Sequence, residues 1–359
     1  MIDVIGRRAR EASDELRQST GRQREEALLT MADVLLDSGP DLLAANAMDI
    51  DQALAEGIGG ALIDRLRLTE KRVEAMSGGL RAVATLPDPV GRETGGWKLY
   101  NGVGLHKVRV PLGVVAVIYE ARPNVTADAA GLCVRSGNAV ILRGSSYALR
   151  SNRAITEALR KALSQAGLPA DSVQLLDDTS REGARALMQA TDWVDLLVPR
   201  GGPGLIDAVR SEATVPTVID GAGNCHVYVD AAADLDKALA IVVNAKVQRP
   251  GVCNAAETLL VHESVADRFV VEAAKALIAE GVELRGDSRS RQLVPDMMEA
   301  TEEDWATEYL DLIMAVRVVT DLDVAIDHVR RYGTGHTEAI VTEDRRAAER
   351  FVSAIDSAV

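Results

Sequence analysis

The segment Gln248-Arg249-Pro250-Gly251-Val252-Cys253-Asn254 places a thiol in a tight turn between a helix-like run and a strand-like run. Pro250 and Gly251 break the helical pattern just before it. The thiolate is the reactive form of cysteine, and nearby positive charge lowers its pKa. A thiol close to Arg249 therefore sits where a nucleophile would be placed. The competing reading is a small buried hydrophobe, the commonest role of a free cysteine. Cys133 lies on an apolar helix in Ala129-Ala130-Gly131-Leu132-Cys133-Val134 and reads as core. Cys225 precedes His226 in a β-branched run. Adjacent strand residues point to opposite faces, so Cys225 reads as structural. The five histidines (His106, His226, His262, His328 and His336) show no paired ligand spacing, and no metal is expected.

Arginines supply the second chemical signal. They occur in Glu120-Ala121-Arg122-Pro123-Asn124, Arg143-Gly144-Ser145-Ser146 and Pro199-Arg200-Gly201-Gly202. Each segment closes a short apolar run, at 113–119, 138–142 and 193–198. Helix patterns such as 152–166 separate the runs, and 173–176 and 217–219 are further strand candidates. Short apolar strands alternating with helices argue an α/β fold whose parallel sheet is covered on both faces. Ligands bind at the carboxyl ends of such strands. Three arginines at equivalent strand ends are expected to converge on one edge as an anion site.

Residues 7–85 read as successive helices, ended by Pro87-Asp88-Pro89. Residues 97–110 read as two strands around Asn101-Gly102, a hairpin that needs a partner. A second α/β set starts near 232. It comprises helix 234–247, the Cys253 turn, strand 257–262, helix 264–280, strand 313–320, helix 322–331 and strand 338–342.

Composition bounds these readings. The 359 residues are 47% hydrophobic and 26% charged, with net charge −14. That balance disfavours nucleic acid and anionic membrane as partners. No apolar run has transmembrane length, and the N-terminus lacks the build of a signal peptide. Three cysteines make no disulfide framework, so a reducing cytoplasm is expected. Neither Gly-x-Gly-x-x-Gly nor a phosphate-binding loop occurs.

Long motifs in order carry a resemblance along the whole chain. They include Tyr119-Glu120-Ala121-Arg122-Pro123-Asn124-Val125-Thr126-Ala127-Asp128-Ala129, Ser136-Gly137-Asn138-Ala139-Val140-Ile141-Leu142-Arg143-Gly144, and Gly223-Asn224-Cys225-His226-Val227-Tyr228-Val229-Asp230. Gln248-Arg249-Pro250-Gly251-Val252-Cys253-Asn254-Ala255, Asp304-Trp305-Ala306-Thr307-Glu308-Tyr309-Leu310 and Gly333-Thr334-Gly335-His336-Thr337-Glu338 complete them. On these motifs the chain resembles the gamma-glutamyl phosphate reductase (glutamate-5-semialdehyde dehydrogenase) family of the aldehyde dehydrogenase superfamily.

The resemblance implies a Rossmann-like NADPH-binding domain at 1–91 and 112–230, without the usual glycine fingerprint. It also implies an oligomerisation hairpin at 92–111 and an α/β catalytic domain at 231–359. It makes Cys253 the nucleophile and Asn124 an oxyanion donor. Arg143, Gly144, Ser145, Gly201, Gly202 and Glu308 become cofactor contacts, with NADPH/NADP as cofactor. Arg122, Arg200 and Arg249 are weaker candidates for the substrate anion. The implied reaction reduces L-glutamyl 5-phosphate to L-glutamate 5-semialdehyde and phosphate, the second step of proline biosynthesis. A homo-oligomer and contact with glutamate 5-kinase are further implied partners. Asp220 stands near where hydrolytic relatives carry a glutamate base and is not expected to serve as one. The family is expected to continue past Val359 with a tail that pairs with the hairpin, so these residues alone are expected to dimerise poorly. A non-phosphorylating aldehyde dehydrogenase and a weakly active ligand-binding form are the alternatives.

Overall fold

Continuous β-branched runs can be strands only where both faces are covered, and the chain builds two parallel sheets on that principle. The computed structural model describes residues 1–219 and 222–359. The chain divides into two compact units, Met1–Asp220 and Gly221–Val359.

The first unit opens with five helices, Ile2–Leu16, Gly21–Asp37, Gly39–Ala55, Gly60–Leu66 and Glu70–Thr85. An antiparallel hairpin follows, β1 (Glu93–Lys98) with β2 (Gly104–Val108), in the register Trp97 opposite Leu105. Its turn contains Asn101-Gly102 as expected. Gly102 takes φ +90°, a conformation glycine adopts without penalty. Trp97, Tyr100, Val103 and Leu105 are all exposed.

The parallel sheet of this unit consists of β3 (Val114–Tyr119), β4 (Ala139–Arg143), β5 (Val173–Leu175) and β6 (Leu196–Arg200), in the order β5-β4-β3-β6. Every residue of β3 is buried. Val115, Val117 and Tyr119 enter one core with the early helices. Val114, Ala116 and Ile118 enter another, together with Leu187 and Val209. β6 starts at Leu196, later than the sequence suggests. The carboxylate of Asp195 accepts the Val114 N–H at 2.7 Å and pairs with Arg10 at 2.6 Å, so the preceding residues form a turn. The 217–219 candidate is reduced to a single bridge, Leu197 with Thr217.

The second unit has six parallel strands: β7 (Cys225–Val229), β8 (Ala256–His262), β9 (Glu283–Gly286), β10 (Met298–Glu299), β11 (Ile313–Val319) and β12 (Glu338–Val341). Their order is β10-β9-β11-β8-β7-β12. β9 and β10 are absent from the sequence reading; two to four residues with charged members give no apolar run. The unit boundary also differs from the expected one at 230. β7 pairs with β8 and β12, so 225–229 belong to the second sheet. One face of this sheet packs Val227, Leu259 and Val316 against helix Glu263–Ala279. The other packs Tyr228 and Leu260 against helices Leu322–Tyr332 and Arg345–Ala354.

Candidate active site

In the second unit the chemistry gathers at the amino edge of the sheet. The loops that enter four adjacent strands carry it: Gly223-Asn224 before β7, Cys253 before β8, Glu308–Leu310 before β11 and Gly333–His336 before β12. The Cys253 turn follows helix Leu235–Val247, and the Ala255 N–H closes it on the Val252 carbonyl at 3.0 Å. Cys253 is half-buried. Its carbonyl accepts the Cys225 thiol at 3.2 Å. Gly223 lies so close that a Cβ there would sit 1.6 Å from the Cys253 carbonyl oxygen. No residue but glycine fits that approach.

The loops are tied to one another through side chains. Glu308 Oε1 accepts the Gly223 N–H at 2.8 Å. Buried Asn224 donates its amide to the carbonyls of Trp305 and Tyr332, each at 2.8 Å, and its backbone N–H to Thr334 Oγ1 at 3.1 Å. One oxygen of Glu338 accepts both the backbone N–H and the ring Nδ1 of His226, each at 2.9 Å. Cys225 is no activated thiol: burial, then the charge of Glu338, pushes it up to about 12. Its hydrogen stays on sulfur and serves as a donor, in agreement with the structural role expected for it.

Two ionisable groups below this edge are strongly perturbed. Lys246 and Glu257 form a fully buried pair at 2.6 Å. Burial pushes the Glu257 carboxyl up to about 7 while Lys246 opposes the shift. His328 packs on His226, Trp305 and Tyr332. Burial, then the charges of His226, Arg317 and Arg331, drives it down to about 3. The Arg317 guanidinium donates to its Nδ1 at 2.7 Å, which requires a neutral ring there.

In the first unit the candidates gather at the opposite kind of edge, the carboxyl ends of β3, β4 and β6. Asn124 begins helix Asn124–Arg135; it is exposed and donates its amide to Asp128 at 3.0 Å. Gly144 is buried, and a Cβ there would meet the Asn152 amide at 2.1 Å. Ser145 Oγ accepts the Tyr147 N–H at 3.3 Å. A Cβ at Gly201 would collide with Glu120 and Leu205, and the Gly202 N–H donates to Glu120 Oε1.

The expected convergence of arginines is only partial. Arg122 and Arg200 are close enough to oppose each other's charge, with Arg65 also near: burial first, then these two charges, lowers the Arg122 pKa. Arg143 turns the other way. Its guanidinium donates to the carbonyls of Thr179 and Ser180, which lie beyond β5, on the side of β4 away from β6. Those carbonyls lie outside any strand and take the guanidinium as their donor. Arg249 belongs to the second unit and is exposed. Asp220 lies outside the described residues. Among the described residues no cluster of histidine, cysteine, aspartate and glutamate could hold a metal ion. No helix among them is long and apolar enough to cross a membrane.

Sequence reasoning missed Lys246, Glu257, His328 and Glu338. Lys246 and Glu257 had one available signal, a charged residue inside an apolar run. Such a residue is either at the surface or paired, and no local pattern names its partner.

Comparison with known proteins places the chain. The family model for the aldehyde dehydrogenase family matches residues 1–293. Gamma-glutamyl phosphate reductase of Moorella thermoacetica is 54% identical over 357 residues, 99% of this chain and 85% of the relative. The protein of that name from Thermobifida fusca is 51% identical over the same length, with the same shares. The crystal structure of gamma-glutamyl phosphate reductase from Thermotoga maritima superposes with a TM-score of 0.97 at 44% identity, covering 99% of this chain and 86% of that one.

Proposed function

The chain belongs to the gamma-glutamyl phosphate reductases, within the aldehyde dehydrogenase family, and on that premise we propose that it reduces L-glutamyl 5-phosphate to L-glutamate 5-semialdehyde and phosphate, with NADPH as reductant. It is an oxidoreductase whose step belongs to proline biosynthesis in the cytoplasm. The observation that carries the reading is the amino-edge loop of Cys253, half-buried, clamped by Gly223 and Cys225, in a chain 54% identical to a relative of that name.

Cys253 attacks the acyl carbon as thiolate. The carbonyl π electrons move to oxygen, and the Cys253 N–H serves as a donor to that oxyanion; the family resemblance implies the Asn124 amide as a second. Such donors are worth about 10²–10³ in rate each. The oxyanion collapses, the bond to the phosphate oxygen breaks, phosphate leaves and a thioester to Cys253 remains. NADPH, when bound, supplies the hydride for that thioester carbon. Loss of the thiolate from the resulting adduct then frees the aldehyde and restores Cys253.

The carboxyl edge of the first unit fits a dinucleotide. Gly144 and Gly201 let Asn152 and Glu120 pack directly on the backbone where a Cβ would collide, which fixes the turns at the ends of β4 and β6. Ser145, Gly202 and Arg143 border that backbone, and Glu308 is the candidate for the nicotinamide ribose. Arg122 and Arg200, two cations close together, suit a phosphate or carboxylate, and Arg249 is a third candidate. The exposed apolar hairpin, with Trp97 and Tyr100, is our candidate surface for a homo-oligomer.

The test is phosphate-dependent reduction of NADP⁺ by glutamate semialdehyde, comparing the parent with Cys253→Ala. The parent is expected to need phosphate and the variant to be inactive. Equal rates without phosphate, or an active variant, would overturn the reading.

A further inference from the structure

One buried ion pair lies just below the amino edge and has no part in the chemical steps proposed above. Lys246 and Glu257 are both fully buried, 2.6 Å apart. Such a pair is an expensive thing to place in a core, and a well-packed apolar pair would serve stability as well or better. Its location is also specific. Cys225 of β7 faces Ala256 and His226 faces Thr258, which leaves Glu257 as the extra residue of a bulge in β8. Bulges re-aim side chains and recur next to active sites.

The second oxygen of Glu257 accepts the Leu310 N–H at 3.3 Å. Leu310 is the one residue other than glycine with positive φ among the described residues, at +55°. Leucine takes that conformation only when something holds it there. Its side chain is 44% exposed, so its own burial does not hold it. Two residues earlier, Glu308 grips Gly223, and between them Tyr309 donates its hydroxyl to Asp304 at 2.9 Å. The loop is thus pinned at three successive residues, and Glu257 holds the strained one.

We propose that the buried Lys246–Glu257 pair is a positioning device: it holds Leu310 in the left-handed conformation and so presents Glu308 to the cofactor. Lys246 donates to one oxygen of Glu257 and fixes its carboxyl group in the core, and the other oxygen anchors the turn. The inference rests on the reading that Glu308 serves NADPH.

The experiment measures NADPH affinity by quenching of protein fluorescence, beside the KM for acyl phosphate. Leu310→Val puts a β-branched residue at positive φ without touching the pair. NADPH binding is expected to weaken about tenfold while the acyl phosphate KM moves less than about twofold. Replacing both partners, Lys246→Met with Glu257→Leu, removes the anchor without stranding a charge and should weaken NADPH by a similar factor. Adding Leu310→Gly to that double variant should recover most of the loss, because glycine needs no anchor at this φ. A merely structural pair predicts no such recovery. Parent-like NADPH affinity in Leu310→Val, or no recovery in the triple variant, would overturn the inference alone. Failure of the parent to bind NADPH would remove the functional reading with it. If the double variant does not fold, Leu310→Val decides by itself.

Discussion

The two units carry their candidate residues on opposite edges of their parallel sheets. In the first, the loops of Arg122, Gly144 and Gly201 leave the carboxyl ends of strands and run into helices Asn124–Arg135, Leu149–Gln165 and Pro203–Glu212. Backbone N–H groups at helix starts, and glycines that admit close approach, dominate there. In the second, the loops of Gly223, Cys253, Glu308 and Thr334 enter strands at their amino ends. No helix start organises them, and side chains lock them instead: Glu308 on Gly223, Asn224 on Trp305 and Tyr332, Cys225 on the Cys253 carbonyl. The rule that ligands sit at carboxyl ends follows from helix starts, which suit extended anions. A nucleophile needs something different, a side chain fixed to within a fraction of an ångström, and a cross-braced set of entry loops supplies it.

That division of labour can be broken experimentally. The largest effect is expected from Cys253→Ala, which should lower kcat by at least about 10⁴-fold while leaving NADPH affinity in place. Next comes Gly223→Ala, whose Cβ cannot coexist with the Cys253 carbonyl. The turn must move, and kcat should fall by about 10²-fold. The rate of Cys253 alkylation by iodoacetamide should change with it. Gly251→Ala, whose Cβ would meet only the Leu310 carbonyl at 3.6 Å, is the control in the same turn and should change little.

Gly144→Ala probes the other edge. Its Cβ meets the buried Asn152 amide, so it should cost about 1–3 kcal/mol in urea denaturation. It should also raise the KM for NADPH and leave Cys253 alkylation untouched. Equal alkylation changes in Gly144→Ala and Gly223→Ala would erase the distinction between the edges.

The last comparison is a histidine-linked pH dependence of the second unit. His328 is held at about 3 when folded and returns to about 6.5 when unfolded. A lowered histidine pKa gives stability that is present above 6.5 and lost as pH falls toward 3, at no more than about 1.4 kcal/mol per pH unit. Glu257, held at about 7, works the opposite way as pH rises from 4.5, so the reading is a difference: His328→Gln should lose less stability than the parent on going from pH 6.5 to 4. The first unit has a single histidine, exposed His106, and should show no matching slope.

Legibility in the sequence follows the same divide. β3 is readable because burial on both faces leaves an unbroken apolar run. The Cys253 turn is readable because proline and glycine mark it. The hairpin is readable from Asn101-Gly102. The direction of Arg143 was not, because carbonyls at Thr179 and Ser180 decide it, 36 and 37 residues away. The unit boundary was misplaced because β7 looks like any strand until its partners β8 and β12 are known.

The sequence by itself determined the family, the alternation of strands and helices, and the thiol most suited to be a nucleophile. These are carried by local composition and by motifs in order, which survive without knowledge of the fold. Only the tertiary structure decided that the thiol's braces are Gly223, Cys225 and Glu308, and that Glu257 bulges out of β8 to meet Lys246 and Leu310. The reason is the strand order β11-β8-β7-β12. It sets side by side loops up to 110 residues apart, and such non-local pairing leaves no periodic trace in the chain.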